Sequence, residues 1–141
     1  MTRPLLAGLA TLHTSRSSAP FWEAARRHVL VAQQCDECET FRMPPAAFCW
    51  RCRSAADRWV ELPGTGTVFT HTTITYATAP EVDPSDLPYT VLVVDLDDAP
   101  GCRLIANLLG PIPDGELIGT RMQVRWDDVA GVTLPRFEVV L

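Results

Sequence analysis

The sequence predicts a mainly β protein in which an N-terminal helix and a four-cysteine metal ribbon precede a small barrel. Three observations favour this class: a helix-start signal near residue 18, two C-x-x-C pairs between residues 35 and 52, and a β-rich texture afterwards. The chain has 141 residues, 47% of them hydrophobic and 21% charged, so it can bury a core. We divide it into an extension at 1–16, a helix with the ribbon at 17–58 and a barrel at 59–141.

A helix is predicted to begin near Ser18 and to run to about Val31. Serine is a common helix cap, Pro20 suits a first turn, and Glu23 places an acid near the helix start. The side chains that fall on one face at helical spacing are Phe21, Ala24, Ala25 and either His28 or Val29. We expect this face to pack on the rest of the chain.

Two cysteine pairs, Cys35 with Cys38 and Cys49 with Cys52, are separated by ten residues. Each C-x-x-C turn brings two sulfurs to one metal ion, and two such turns complete a tetrahedron. Zinc is the favoured ion, iron is an alternative that four thiolates also suit, and disulfide pairing requires an oxidising compartment. Because four protein sulfurs fill the tetrahedron, the metal is predicted to be structural, and the thiols indicate a cytoplasmic protein.

The ribbon is rich in arginine, and two interpretations of these side chains stay open. The residues are Arg42, Arg51, Arg53 and Arg58. Four thiolates around a divalent ion leave a local charge of about −2, so we favour compensation of that charge. The alternative is that the guanidinium groups bind an anionic ligand, including an acyl-CoA held by this chain alone.

The second half of the chain reads as five strands. They span residues 65–76, 90–97, 103–109, 121–126 and 132–141. Residues 79–88 are predicted to form a loop, and Pro135 is expected to break the last strand. Leu92, Val94 and Leu96 fall on one face of their strand, as core residues do. Five strands in about 80 residues, with a long first strand, suit a Greek-key barrel of the OB type.

The net charge of −5 is unevenly distributed along the chain. Residues 1–58 carry eight arginines and five acidic residues, whereas 59–141 carry four arginines and twelve acidic residues. OB barrels often bind single-stranded nucleic acid through basic grooves and stacked aromatics, for which Phe69, Tyr76 and Trp126 are candidates. The acidic barrel argues against that alternative, because nucleic-acid affinity depends on neutralising phosphates. No apolar run reaches the ~18 residues of a membrane helix.

No catalytic residue is predicted. The three histidines have no sequence neighbour that suggests a nucleophile and its base: His13, His28 and His71. Cys102 is expected to be an inert, half-buried thiol. Asp95 and Asp97 share one strand face and could act as an acid–base pair, but a solvated ion-pair patch with Arg103 across the predicted hairpin is favoured.

Taken in order, these motifs resemble the family of acyl-CoA-associated proteins that join an N-terminal helix and a rubredoxin-like zinc ribbon to a C-terminal OB-fold. The likeness covers about residues 20–140. The segments that carry it are Phe21-Trp22, the two cysteine pairs with Pro44-Pro45 between them, Gly64 to Val68, Pro88-Tyr89, Arg103 to Leu108, Ile118-Gly119 and Leu134 to Phe137. The order of all these motifs is far more specific than the cysteine pairs alone.

The resemblance implies a non-catalytic accessory subunit with structural zinc. Such proteins pair with thiolase-fold enzymes, including lipid-transfer-protein-like aldolases and thiolases that cleave acyl-CoA side chains in steroid breakdown, or with hydratase subunits. In some complexes they help to hold the coenzyme A portion. We therefore expect a hetero-oligomer with an acyl-CoA lyase or acyltransferase, docked through Phe21, Trp22 and Trp50, because interface cores favour large aromatics.

Overall fold

The computed structural model describes residues 4–9 and 11–140. Its strands are β1 Val31–Cys35, β2 Phe41–Arg42, β3 Asp57–Glu61, β4 Thr65–Ile74, β5 Tyr89–Leu96, β6 Arg103–Asn107, β7 Arg121–Val129 and β8 Val132–Val139. The helices are α1, Ala19–Arg26, and two 3-10 turns, Ala7–Leu9 and Pro84–Asp86. Within these residues the predicted class is confirmed: one short helix, a four-cysteine ribbon and an OB-type barrel. Residues 1–3 and 10 of the predicted extension, and Leu141 of the predicted last strand, lie outside the described residues.

The helix begins where the sequence predicts but ends earlier. Its buried residues are Phe21, Ala24 and Ala25, as the spacing predicts. The expected continuation to Val31 is wrong, because α1 ends at Arg26 and His28 takes a left-handed φ of 59°. Val31 instead opens β1 and pairs with Glu61. The pairing with β3 therefore overrides the helical spacing of the residues that follow α1.

The ribbon is a three-stranded antiparallel sheet in the order β2-β1-β3. The buried Gln33 side chain exchanges two hydrogen bonds with the main chain of Ala46, each 2.9 Å long. Arg42 is also buried, and its Nε and Nη2 donate to the same Ala46 carbonyl at 3.2 and 3.0 Å. These bonds fix the loop that carries Pro44 and Pro45 between the two cysteine pairs.

The barrel is a five-stranded sheet in the order β6-β5-β4-β7-β8. Val68, Leu92, Val94, Met122 and Phe137 fill its interior together with residues of α1 and the ribbon. As predicted, alternate residues of β5 are buried. No helix within the described residues is long and apolar enough to cross a membrane.

The last strand runs through Pro135 instead of being broken there, which corrects the prediction. The carbonyl of Phe137 accepts from Leu109, away from β7, while Val140 donates to Arg121 of β7 at 3.1 Å. Main-chain groups alternate sides along an antiparallel strand, so the nitrogen of Pro135 also points away from β7. Proline costs no ladder hydrogen bond at that position.

Ion pairs tie strands of the barrel together. Arg103 Nε donates to Asp95 Oδ1 at 2.8 Å, as predicted, whereas Asp97 of the predicted patch pairs with Arg121 instead. Asp97, just after β5, accepts from Arg121 Nη1 at 3.0 Å and from Thr65 Oγ1 at 2.6 Å. The hydrogen bonds from Arg121 and Thr65 lower the pKa of Asp97 to about 2. Asp97 therefore links the start of β4 to the start of β7.

Replacing Phe137 by alanine tests the barrel core. Phe137 is 0% exposed, and the change leaves a cavity, so we expect the free energy of unfolding to fall by about 3–5 kcal/mol. Urea denaturation measures this loss. Ile118→Ala is the control, because Ile118 is 49% exposed and a surface truncation changes stability by about 0.5 kcal/mol or less. Equal midpoints for the two variants would contradict the assigned core.

Replacing Asp97 by asparagine tests the ion pair through its pH dependence. Because the folded-state pKa lies below the usual value, the carboxylate stabilises the fold above about pH 4, and this contribution is lost as the pH falls towards 2. We expect Asp97→Asn to lower the urea midpoint at pH 7 and the difference from wild type to shrink between pH 4 and 2. Asp98→Asn, an exposed neighbour, is the control, and a difference independent of pH would refute the assignment.

Candidate metal centre

The two cysteine turns have the same main-chain geometry. The main-chain carbonyl of Cys35 accepts a hydrogen bond from the N–H of Glu39 at 3.0 Å, and the carbonyl of Cys49 accepts one from the N–H of Arg53 at 2.9 Å. Glu39 and Arg53 both take a left-handed φ, 63° and 66°, which turns the chain back after each pair. The N–H of Cys35 also donates to the carbonyl of Thr40, five residues later. In the same way, the N–H of Cys49 donates to the carbonyl of Ser54. Each pair therefore forms a closed knuckle, one at the end of β1 and one before β3.

The knuckles face each other and gather four sulfurs. All four Sγ atoms lie within 4.8 Å of one another. Cys35 and Cys52 are 3.5 Å apart at sulfur, and Cys38 and Cys49 are 3.6 Å apart. A tetrahedron with metal–sulfur bonds of about 2.3 Å has edges of about 3.8 Å. The arrangement therefore fits one four-coordinate ion with one thiolate from each residue.

Local hydrogen bonds favour the thiolate form at two of the four cysteines, and the thiolate is the form that binds metal. The side chain and main chain of Thr40 lower the pKa of Cys38 to about 6. The N–H groups of Cys52 and Arg51 lower the pKa of Cys49 against the opposing effect of burial, and the Arg51 N–H lies 3.4 Å from that sulfur. At Cys52 the Ser54 N–H lowers the pKa, but the neighbouring sulfurs and burial outweigh it and raise the pKa to about 12.

The four ribbon arginines lie in different surroundings. Arg42 is buried, and besides Ala46 it approaches Asp57 at 3.8 Å. Arg58 pairs with Asp36 at 2.7 Å across the first knuckle. Arg51 and Arg53 are exposed on the second knuckle. The four arginines are close together in the sequence but differ in the structure. Arg42 and Arg58 pair with carboxylates of this chain, whereas Arg51 and Arg53 face solvent.

The proposed docking aromatics lie on two surfaces. Phe21 is buried and meets the half-buried Trp22 edge to face, with ring centroids 5.0 Å apart. Trp50 is 71% exposed on the second knuckle. It lines a cleft of about 280 Å³ together with Phe48, an exposed aromatic that the sequence analysis missed.

An apolar groove of about 660 Å³ lies between α1, the ribbon loop and the barrel. Phe21 and Trp22 form one wall, Met43 to Pro45 a second, and residues of β6 and β8 the others. This groove could not be predicted from the sequence, because its walls come from segments that are far apart in the chain. The sequence shows only that several of the lining side chains are apolar.

Two of the side chains that were considered as reactive groups, Cys102 and His28, pack against other residues of the chain. Cys102 is fully rather than half buried, and burial raises the pKa of its thiol to about 11, as suits the predicted inert role. His28 stacks on Trp126 with ring centroids 5.7 Å apart and planes 6° apart.

A four-sulfur ribbon followed by an OB barrel defines a class of zinc-ribbon OB-fold proteins. Two family models match consecutive parts of the chain. Residues 22–58 match the rubredoxin-like zinc ribbon domain of ChsH2, and residues 59–127 match the ChsH2 C-terminal OB-fold domain. The chain belongs to the ChsH2 family.

Similar proteins agree with this assignment. The chain resembles a chain of the solved Ltp2-ChsH2(DUF35) aldolase with a TM-score of 0.80 and 32% identity, covering 93% of this chain and 100% of that one. A DUF35-family protein of unknown function from Sulfolobus solfataricus, 16% identical with a TM-score of 0.63 over 90% of this chain and 87% of that one, shares the fold.

A curated relative is much longer than this chain. It is the probable enoyl-CoA hydratase alpha subunit of Thermomonospora curvata, which is 36% identical over 124 residues. The match covers 87% of this chain but only 37% of the length of that relative. The similarity therefore concerns one part of the hydratase subunit.

Replacing Cys49 by serine tests the metal centre. The change removes one of four ligands from a buried position, so we expect zinc affinity to fall by more than about 100-fold, beyond the effect of losing an outer-shell partner. Elemental analysis after dialysis against a chelator measures bound zinc. Cys102→Ser is the matched control and should keep wild-type zinc, because Cys102 lies in the barrel core. Retention of zinc by Cys49→Ser would count against the four-sulfur site.

Proposed function

We propose that this chain is a non-catalytic accessory subunit of a thiolase-fold acyl-CoA enzyme of the lipid-transfer-protein-like aldolase type. The observation that carries the proposal is the likeness to a chain of the Ltp2-ChsH2(DUF35) aldolase, which extends over 93% of the present chain at 32% identity. A likeness of that extent covers the residues of both the ribbon and the barrel. The proposed reaction of the complex is a carbon–carbon lyase or acyl-transfer step in steroid side-chain degradation, carried out by the partner.

In this proposal Cys35, Cys38, Cys49 and Cys52 hold one zinc ion whose role is structural. A tetrahedron closed by four protein sulfurs offers no position to water or substrate. When bound, the ion supplies a cross-link between the knuckles and no Lewis-acid chemistry. The N–H groups around Cys49 and the Thr40 hydroxyl beside Cys38 favour the thiolate form of these two sulfurs. Such thiolates require a reducing compartment, so we place the complex in the cytoplasm.

The proposed docking surface includes the groove and the smaller cleft, which share Met43 and Pro44. Trp50 and Phe48 are 71% and 63% exposed, and contiguous exposed aromatics of this kind mark interaction sites. Phe21 supports Trp22 from beneath rather than making contact itself, since Phe21 is buried. We therefore assign the docking energy mainly to the two tryptophans.

A hydratase subunit is the second candidate partner. It is supported by the relative from Thermomonospora curvata, a probable enoyl-CoA hydratase alpha subunit most of whose length lies outside the match. Both candidate enzymes act on acyl-CoA, so the proposed accessory role is the same. We propose that coenzyme A, if it touches this chain, meets Arg51 and Arg53, because Arg42 and Arg58 already hold protein carboxylates.

Co-expression with the lipid-transfer-protein-like enzyme of the same organism tests the proposal. We expect a hetero-oligomer on gel filtration and aldolase activity that the partner lacks alone. Trp50→Ala should weaken association at least about tenfold, because exposed tryptophans dominate interface energies. Tyr76→Ala is the matched control, since Tyr76 is 72% exposed but lines neither the groove nor the cleft.

Two results would reject the accessory role. One is separation of the two proteins on gel filtration together with unchanged partner activity. The other is equal weakening by Trp50→Ala and Tyr76→Ala, which would leave the proposed docking surface without support.

A further inference from the structure

The apolar groove contains an unpaired strand edge. β6 lies at the end of the barrel sheet and pairs with β5 on one side. On its other side, the described residues give a single bridge beyond the strand end, between Leu108 and Phe137. Residues 103–107 line the groove along the whole length of β6. The strand therefore presents main-chain groups to an apolar space.

The hydrogen bonds at the two ends of β6 determine which groups face the groove. The Cys102 carbonyl accepts from Leu96 at 3.1 Å, and the Leu108 N–H donates to Thr90 at 3.0 Å. In an antiparallel pair alternate residues face the partner strand, so even-numbered residues of β6 face β5. The N–H and C=O groups of Arg103 and Ile105 consequently point away from β5. The Ile105 side chain, which is 71% exposed, lies beside these main-chain groups.

The opposite wall of the groove cannot close this edge. β8 contributes Leu134, Pro135 and Arg136 to the groove. Pro135 occupies a position whose nitrogen faces away from β7, and proline has no N–H to donate. Proline is a common means of blunting an edge strand. β8 is therefore blunted while β6 keeps its donors and acceptors.

The groove also has a charge preference. Arg136 is 2% exposed and lines the groove. Its Nη2 donates to the Leu5 carbonyl at 2.7 Å and its Nη1 lies 3.3 Å from Asp127, yet among the described residues Nε and Nη1 have no hydrogen-bond partner. Arg103 also lines the groove, but its guanidinium group is already paired with Asp95. In the part of the chain that the structure describes, the lining holds no carboxylate, so an acidic group bound there would complement Arg136.

We propose that an extended segment of the partner enzyme adds to β6 as a further strand and fills the groove. Its apolar side chains pack on Trp22 and the Pro44-Pro45 loop, and one of its carboxylates pairs with Arg136. Five residues of β6 span about 16 Å, which suits a segment of similar length. Main-chain pairing supplies affinity in such strand additions, and the side-chain pockets supply specificity. This inference rests on the proposed function and names its docking mode.

Amide hydrogen exchange on the intact complex tests the docking mode residue by residue. The complex exchanges in D₂O, is then dissociated under quench conditions, and the labelled chain is read by NMR. In the free chain the amide hydrogens of Leu104 and Ala106 should already be protected by hydrogen bonds to β5, whereas those of Arg103 and Ile105 should exchange fast. Binding should lower the exchange rates of the Arg103 and Ile105 amides by at least about 100-fold. An alternating pattern of this kind is specific to strand pairing.

Ile105→Pro gives an independent readout. It removes the outward N–H at an edge position and leaves the ladder with β5 intact, so the fold should keep its melting temperature and zinc content. We expect binding to the partner to weaken at least tenfold. Ile105→Val is the matched control, because it keeps the N–H and most of the side chain, and should bind within about twofold of wild type.

The outcomes separate this inference from the proposed function. A complex in which Arg103 and Ile105 keep their free-chain exchange rates would overturn the strand addition alone, and would mean that side chains or a small molecule occupy the groove. Wild-type binding by a folded Ile105→Pro variant would do the same. Failure to form any complex would overturn both proposals.

Discussion

The convergence of four cysteine sulfurs is the constraint on which the rest of the structure depends. The ribbon sheet contains three short strands, one of only two residues, so it forms few main-chain hydrogen bonds of its own. A structural zinc ion contributes about 10–16 kcal/mol in small zinc peptides, more than a ribbon of this size gains from burial. With the knuckles fixed, Gln33 and Arg42 hold the Ala46 carbonyl and thereby the Pro44-Pro45 loop. That loop is one wall of the groove, so the metal centre sets the shape of a surface that contains no sulfur.

The features that follow from local pattern were predictable, and those that depend on long-range contacts were not. The C-x-x-C spacing predicted the four cysteines whose sulfurs lie together in the structure, and alternation along β5 predicted Leu92 and Val94 in the core. The end of α1 was missed because Val31 is recruited by a strand about 30 residues later, which no helical spacing reveals. The predicted break at Pro135 was wrong for a related reason. Whether a proline nitrogen faces the neighbouring strand or points away from it depends on the register of that strand, which the sequence does not reveal. The groove and the burial of Arg42 are likewise products of packing between segments.

The barrel surface is better suited to protein contacts than to nucleic acid. Phe69 is covered by the guanidinium group of Arg103 at 3.7 Å, and that group is held by Asp95. Trp126 is stacked on His28. Two of the three aromatics that suggested a base-stacking platform are therefore already in contact with neighbours, and acidic residues predominate over the barrel. By contrast Trp50, Phe48 and the β6 edge are available along the side formed by ribbon, helix and barrel. The protein thus presents its unsatisfied apolar and main-chain groups on a composite surface, as expected of a subunit that acts through another chain.

X-ray absorption at the zinc edge, on protein made in a reducing cytosol, tests the structural role of the cysteine cluster most directly. We expect one zinc ion per chain with four sulfur neighbours at about 2.3 Å and no nitrogen or oxygen in the first coordination shell. A coordinated water or carboxylate, iron in place of zinc, or cysteines joined as disulfides would contradict it.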